Sequence, residues 1–166
     1  MAPAWMPAYV GLGSNLDDPR RQLLAAFEAL ARLDETRLLA VSSLYGSAPM
    51  GPPGQPDYVN AAAGMLTTLA PEEFLSALQA VEKAHGRRRD GERWGPRILD
   101  LDLLGFGNLT RRDDDLVLPH PGIPRRPFVI VPLAEIAPGL RLPGLPPVAA
   151  MARSAARDEL WMLEAA

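Results

Sequence analysis

The fold is decided by the stretch RWGPRILDLD, residues 93–102, which joins an arginine-rich segment to alternating apolar and acidic residues. Apolar residues at every second position from Leu99 to Leu103 predict a half-buried β-strand. Residues two apart on a strand share one face, with Cα atoms about 6.6 Å apart, so Asp100 and Asp102 should point the same way. At that distance two carboxylates repel by roughly 2–3 kcal/mol at an effective dielectric constant of about 20. The pair therefore needs a compensating partner.

Two interpretations of the Asp100–Asp102 pair are open at this point. Magnesium prefers hard oxygen ligands, so paired carboxylates at this spacing suit a metal site. The same alternation is also typical of the solvent-exposed face of an edge strand. The arginines of residues 87–97, with Trp94 among them, favour a site for phosphate and metal, because the planar guanidinium suits phosphate.

Composition restricts the class of protein. The chain has 166 residues, of which 48% are hydrophobic and 22% charged, and this predicts one globular domain over 1–166. A net charge of −3 and a pI near 5.4 give no basic footprint for nucleic acid. The absence of cysteine excludes disulfides and is compatible with the cytosol. Neither a secretory signal nor an apolar run long enough for a membrane span is present, so we expect a cytoplasmic protein.

Strands and helices alternate along the chain. Strands are predicted over 8–13, 38–45 and 58–68, with a fourth starting near Leu99, and helices over 19–33 and 71–85. Asp18 is expected to cap the first helix, which begins at Pro19. Four prolines and two glycines in residues 48–56 predict a long loop, and such loops are usually functional.

The order β-α-β-β-α-β is that of a ferredoxin-like α+β fold. An apolar segment over 128–136 and a short amphipathic helix near Leu160 are expected as additional C-terminal elements.

Several common kinds of site are excluded. The segment GLGSNL (11–16) lacks the third glycine of a dinucleotide-binding fingerprint, and no Walker A loop is present. Two histidines without cysteine make a structural zinc site improbable. What remains is carboxylates, arginines and a few aromatics, a set that suits phosphoryl transfer.

Six motifs in order then resemble one family. They are GLGSNL (11–16), QPDYVNA (55–61), RWGPR with LDLD (93–102), PH (119–120), RPF (126–128) and PLAEIAP (132–138). Together they resemble the 6-hydroxymethyl-7,8-dihydropterin pyrophosphokinases of folate biosynthesis over roughly residues 8–140. The resemblance implies a monomeric enzyme that transfers pyrophosphate from ATP to the pterin hydroxymethyl group, releasing AMP. ATP as co-substrate and two Mg²⁺ ions are implied with it, and pterin and ATP are the only partners.

The resemblance also implies site residues. Asp100 and Asp102 would hold the two Mg²⁺ ions, and Arg87 and Arg97 would act on the transferring group. The positions that match ATP contacts are Gln79, Glu82, Arg89, Trp94, Ile98, His120 and Arg126. The positions that match pterin contacts are Ser47, Ala48, Met50, Tyr58, Asn60, Asp100 and Phe128. Tyr58 and Phe128 match two rings that sandwich the pterin, although the residues alone would place both in the core.

Some positions depart from the family pattern. Asp90 and Asp115 stand where some members carry basic residues, and Pro121 where some carry tyrosine, so no phosphate role is transferred to them. No function is assigned beyond about residue 143. Two other hypotheses are a ferredoxin-like RNA-binding module, which the acidic pI disfavours, and a catalytically inactive pterin- or nucleotide-binding protein, which the retained Asp100 and Asp102 disfavour.

Overall fold

A computed structural model describes residues 4–86 and 98–166 of the protein. In chain order its elements are β1 (Met6–Ser14), α1 (Pro19–Ala31), β2 (Thr36–Val41), β3 (Leu44–Ser47), β4 (Tyr58–Thr67), α2 (Pro71–Ala84), β5 (Asp100–Phe106), β6 (Arg111–Arg112), β7 (Val117–Leu118), α3 (Pro127–Ile136), α4 (Val148–Ser154) and β8 (Leu160–Glu164). A short 3₁₀ turn, Ile123–Arg125, precedes α3. Within these described residues, no helix has the length and apolar character needed to cross a bilayer.

The central sheet is antiparallel, with the order β5-β1-β4-β3-β8, and β2 also pairs with β4. Because β2 and β3 lie end to end along the same neighbour, they act as one interrupted strand. The order of elements is then β-α-β-β-α-β up to β5, which confirms the predicted ferredoxin-like α+β fold. The elements from β6 onward are the expected C-terminal additions.

Helices cover both faces of the sheet. One core cluster packs β1, β4 and β5 against α1 and α2, and Leu12 and Leu101 belong to it. The other packs the opposite face against α3 and α4, and Ala62 and Leu104 belong to that one. Side chains of a strand alternate between faces, so neighbouring residues serve different layers. Asp100 and Asp102 flank Leu101 on β5, so their side chains lie on the α3 face.

The first helix begins as predicted, but its cap differs. Asp18 holds the N-cap position with Pro19 after it, and the Asp18 carbonyl accepts the Gln22 N–H at 3.0 Å. No hydrogen bond from the Asp18 side chain caps the helix, and the residue has a left-handed backbone with φ 60°. The sequence thus predicted the position of the cap correctly, but the expected hydrogen bond from the Asp18 side chain is absent.

The predicted strand over 38–45 is in fact split at Ser42 and Ser43. The Ser42 N–H donates to the Ala62 carbonyl at 2.9 Å, and the Ser42 hydroxyl accepts the Ala62 N–H at 2.8 Å. The Ser43 N–H turns away to the Glu135 carboxylate of α3, with Oε2 at 3.0 Å. Side chains thus replace two ladder bonds, and the strand breaks there.

The predicted helix near Leu160 is wrong. The last helix, α4, ends at Ser154, and residues from Leu160 to Glu164 form strand β8. Without β8, strand β3 would have β4 on one side only, and its other edge would offer unpaired backbone groups. Pairing with that edge outweighs the local helical pattern.

Candidate active site

A cavity of about 290 Å³ opens on the α3 face of the sheet. It lies where β1 ends and where β4, β5 and α3 begin. All the residues that match pterin contacts line it: Ser47, Ala48, Met50, Tyr58, Asn60, Asp100 and Phe128. Asp102, His120 and Arg126 line it as well. Gly11 and Gly13 of the first motif line it too, so the structure brings together residues from five of the six sequence motifs.

The carboxylates face the cavity because β5 alternates. Leu99 and Leu101 are buried beneath the sheet, whereas Asp100 and Asp102 are half-buried on the other face. The side chain of Asp102 is 34% exposed, so solvent and ligands can reach it. The expectation that both acids share one face is confirmed.

The floor of the cavity next to the carboxylates is formed by the backbone of two glycines. Gly13 is the cross-strand partner of Asp100, and Gly11 is that of Asp102. A Cβ built on Gly13 would lie 3.6 Å from both the Tyr58 ring and Asn60 Oδ1, so a side chain there would fill the cavity. These glycines were not predicted as site residues. Their two-residue spacing, which matches that of the acids on a neighbouring strand, is the signal that could have found them.

His120 is held beside Asp102 by its own backbone. Its N–H donates to the Leu104 carbonyl of β5 at 2.9 Å, and its Nδ1 accepts the Gly122 N–H at 3.0 Å. Burial lowers the pKa of His120 to about 4; Arg126 acts in the same direction and Asp100 opposes both. The imidazole is therefore neutral at pH 7. Because Nδ1 is an acceptor, the proton resides on Nε2, which lies 3.8 Å from Asp102 Oδ1.

Arg126 supplies a cation on the same side. Its Nη1 lies 4.0 Å from Asp102 Oδ2, which is beyond hydrogen-bonding distance. The guanidinium packs closely over Gly122, where a Cβ would lie 2.7 Å from Arg126 Cζ. Arg126 also holds the N-cap position of α3, and its carbonyl accepts the Ile130 N–H at 3.0 Å. The start of α3 thus fixes the charge next to the carboxylates.

Asn60 is the most enclosed polar group of the cavity, with 3% exposure. Its Nδ2 donates to Ser47 Oγ at 2.8 Å and to the Tyr45 carbonyl at 3.3 Å. Both amide hydrogens are used within the protein. The carbonyl oxygen is therefore the group that Asn60 can present to a ligand.

Two aromatic rings border the cavity at the starts of elements. Tyr58 is the first residue of β4, and Phe128 is the second residue of α3. Both are half-buried, and Phe128 also packs against the core cluster beneath α3. Neither ring is fully enclosed by protein, so both have surface to offer a flat ligand.

The proline-rich loop is tied to the end of β1. Asn15 is 1% exposed, and its Nδ2 donates to the Pro56 carbonyl at 3.1 Å and to Gln55 Oε1 at 3.2 Å. Gln55 Nε2 in turn donates to the Pro52 carbonyl at 3.1 Å. These bonds fix the loop that carries Met50 to the cavity. The sequence did not predict this brace, because the hydrogen-bond partners of the buried Asn15 amide lie 40 and 41 residues away in the chain.

Three predicted ATP contacts lie elsewhere. Gln79 and Glu82 belong to α2 on the opposite face, and Ile98 packs at the end of α2, 3.4 Å from where a Cβ of Gly86 would be. Glu82 is 6% exposed, and its Oε2 accepts the Leu101 N–H at 2.8 Å. It supports β5 from behind. The predicted positions Arg87, Arg89, Trp94 and Arg97 lie outside the described residues.

The carboxylates of the cavity suit a magnesium ion that also binds substrate and water, and not a metal site formed by protein ligands alone. Among residues 4–86 and 98–166, no group of three or more His, Asp or Glu is placed to hold a metal ion. Asp100 and Asp102 supply two carboxylates on one face of β5. Magnesium is commonly bound by one or two carboxylates together with substrate phosphates and water, so the pair fits that ion.

Comparison with known proteins points to one family. Residues 9–138 match the family model described as 7,8-dihydro-6-hydroxymethylpterin-pyrophosphokinase. The chain is 55% identical over 135 residues to the 2-amino-4-hydroxy-6-hydroxymethyldihydropteridine pyrophosphokinase of Pseudomonas aeruginosa, covering 81% of this chain and 83% of that protein. It is 50% identical over 136 residues to the protein of the same name from Haemophilus influenzae, covering 82% and 84%.

Solved structures agree on the fold. A Plasmodium falciparum HPPK-DHPS triple mutant with pteroate matches with a TM-score of 0.72 at 12% identity. The match covers 92% of this chain but 43% of that one, so the chain spans less than half of the larger protein. The likeness shows a shared fold for this chain and nothing of the remaining part.

Proposed function

The chain belongs to the 7,8-dihydro-6-hydroxymethylpterin-pyrophosphokinase family, and on that premise we propose that its 290 Å³ cavity is where the reaction takes place. The enzyme transfers pyrophosphate from ATP to the hydroxymethyl group of the pterin in folate biosynthesis, giving the pterin diphosphate and AMP. The observation that carries the placement is the meeting of Asp100, Asp102, His120 and Arg126 with Tyr58, Asn60 and Phe128 in one cavity.

The cavity divides by chemistry into two ends. We propose that the flat pterin lies between Tyr58 and Phe128, with its amide edge at Asn60 and with Ser47, Ala48 and Met50 as the surrounding wall. The ATP phosphates then approach Asp102, His120 and Arg126. Asp100 lies between the two ends, which suits a residue that contacts both the pterin and a metal ion. The two substrates would thereby meet over the glycine floor.

The protein's part in this reaction is to position the substrates and stabilise negative charge, without a covalent bond to either of them. The pterin hydroxymethyl oxygen loses its proton to water as it bonds to the β-phosphorus, and the bond from that phosphorus to the α,β-bridging oxygen breaks, so that AMP leaves. We propose that Arg126 and the neutral Nε2–H of His120 contact phosphate oxygens and stabilise their negative charge. Positioned donors of this kind stabilise transition states strongly, because they require no reorganisation during the reaction.

We propose that Asp100 and Asp102 hold two Mg²⁺ ions. When bound, the ions neutralise charge on the triphosphate and orient it for in-line displacement. The two carboxylates are fixed by β5 on one face of the sheet, so their mutual repulsion would favour the binding of cations next to them.

Other residues keep their proposed roles. We propose that Arg87 and Arg97 act on the transferring group and that Arg89 and Trp94 contact ATP, as their positions in the motif imply. Gln79, Glu82 and Ile98 stay proposed nucleotide contacts, although they do not line this cavity. We also propose that the enzyme acts as a monomer.

The identity of the nucleotide product tests the central proposal. Incubation with ATP, magnesium and 6-hydroxymethyl-7,8-dihydropterin should yield AMP in equal amount to the pterin diphosphate. Carboxylates with metal ions would serve attack at the β- or the γ-phosphorus equally well, so this outcome depends on family membership. Chromatography separates the nucleotides, and formation of ADP instead of AMP would contradict the proposal.

The aromatic pair gives a second test. A bicyclic ring between two aromatic side chains gains about 0.5–1.5 kcal/mol per pair beyond area burial. We therefore expect Tyr58→Ala or Phe128→Ala to weaken pterin binding by about tenfold or more while ATP affinity stays nearly unchanged. Calorimetry with each ligand measures both affinities, and the melting temperature of each variant is the control.

A core residue would behave differently in that experiment. Truncation of a buried ring usually costs about 3–5 kcal/mol of stability. A large fall in melting temperature without a selective loss of pterin affinity would show that the ring supports the fold instead of the ligand.

A further inference from the structure

The C-terminal strand β8 lies beyond residues 9–138, the part of the chain that the family model matches. It pairs with β3, whose end supplies Ser47 and whose following residue, Ala48, also lines the cavity. We propose that β8 positions the pterin end of the cavity, with Trp161 as the positioning residue. The inference rests on the pterin placement proposed above.

Backbone pairing joins β8 to the cavity wall directly. Leu160 is the cross-strand partner of Ser47, and the Ala48 N–H donates to the Glu159 carbonyl at 3.3 Å. Without β8, the four-residue strand β3 would be an edge strand whose outer N–H and C=O groups face solvent. The pairing therefore holds the backbone of two lining residues in place.

The indole of Trp161 adds a side-chain contact. Trp161 is the cross-strand partner of Gly46, on the face opposite to Ser47. A Cβ built on Gly46 would overlap the indole, with Cζ2 at 2.8 Å. The φ of Gly46 lies outside the left-handed region, so its backbone does not demand glycine. The missing side chain serves the close approach of the indole.

The far end of β8 is anchored to α1. Arg20 Nε lies 2.5 Å from Glu164 Oε2, and Arg20 Nη2 lies 2.9 Å from Oε1, which makes a bidentate pair. The pair is solvent-exposed, so its contribution to stability is small, but its geometry fixes the direction of the strand. Strand β8 is thus tied at one end to α1 and at the other to the cavity wall.

A short path connects this contact to the pterin. The indole presses on Gly46, the next residue is Ser47, and Ser47 Oγ accepts a hydrogen bond from Asn60 Nδ2 at 2.8 Å. Movement of β3 would shift the hydroxyl that orients the Asn60 amide. The phosphate end is built from β5 and the start of α3, which do not pair with β8. Loss of the contact between Trp161 and Gly46 should therefore weaken the binding of pterin and leave the binding of ATP unchanged.

The experiment compares Michaelis constants for the two substrates. In Trp161→Ala we expect the KM for pterin to rise about tenfold, because small displacements of positioning groups are costly, while kcat and the KM for ATP stay nearly unchanged. Trp161→Phe should restore most of the loss. Met162→Ala is the matched control, since Met162 follows Trp161 in the same strand and is 57% exposed. This variant should behave like the unaltered enzyme.

A second variant tests the contact from its other side. Gly46→Ala should raise the KM for pterin by displacing the indole, but it should add little in a Trp161→Ala background, where the methyl group has room. An unchanged pterin KM in Trp161→Ala, or equal loss for both substrates, would overturn the inference. Tyr58→Ala in the same assay separates the premises: if it impairs pterin binding and Trp161→Ala does not, the placement stands and only the role of β8 is wrong.

Discussion

Replacement of either acid of β5 should nearly abolish turnover. Asp100→Ala or Asp102→Ala removes one of the two carboxylates proposed to hold Mg²⁺, and with it several kcal/mol of transition-state stabilisation, which lowers kcat roughly 10³-fold or more. Asp102→Asn should be almost as damaging, because it keeps the shape of the side chain and removes the charge. AMP formation at increasing magnesium concentration measures the effect.

The fold should survive these changes. The acids are half-buried, and loss of one relieves its repulsion with the other, so the melting temperature should stay close to that of the unaltered enzyme. Asp34→Ala is a suitable control, since Asp34 is exposed and far from β5 in sequence. Near-normal turnover of Asp102→Ala at saturating magnesium would refute the metal assignment.

Loss of the cation at the start of α3 should be the next largest effect. Arg126→Ala removes a guanidinium that lies 4.0 Å from the Asp102 carboxylate and is proposed to contact the triphosphate. Removal of one preorganised donor to a developing charge typically costs about 10²–10³ in kcat, and we expect a loss in that range. Arg126→Lys should recover only part of it, because an ammonium group lacks the planar fork. Single-turnover measurements of AMP release would isolate the chemical step.

The neighbouring arginine is a matched control. Arg125 carries the same charge one residue earlier, but it is exposed and does not line the cavity. Arg125→Ala should therefore leave kcat nearly unchanged. If both alanine variants lost activity equally, the general positive potential would explain the effect and a specific role of Arg126 would be wrong.

Local patterns predicted the parts of the site that one element controls. The alternation around Leu101 was sufficient to place Asp100 and Asp102 on one face, because the two-residue period is a property of any strand. The order of elements was sufficient to predict the sheet up to β5, because β-α-β-β-α-β is the order of the ferredoxin-like fold. The roles of Tyr58 and Phe128 depended on the family resemblance, since as isolated residues both look like core.

Features that need distant partners were not predictable. The break at Ser42 depends on hydrogen bonds to Ala62, twenty residues away in the chain. Strand β8 depends on a free edge of β3, which no pattern near Leu160 records. The neutral state of His120 depends on burial and on the nearby charge of Arg126, and both arise only when the chain is folded.

The fixed amide of Asn60 has a consequence for inhibitor selectivity. Its two N–H groups are engaged with Ser47 and Tyr45, so the group left for a ligand is a hydrogen-bond acceptor that cannot be reversed by rotating the amide. In the proposed placement a heterocycle must therefore bring a donor to this point, which the lactam N–H of a pterin would supply. Methylation of that nitrogen would leave a buried carbonyl without a partner, and such mismatches are penalised far more than a missing methylene. Compounds designed against this pocket would gain discrimination from that one N–H.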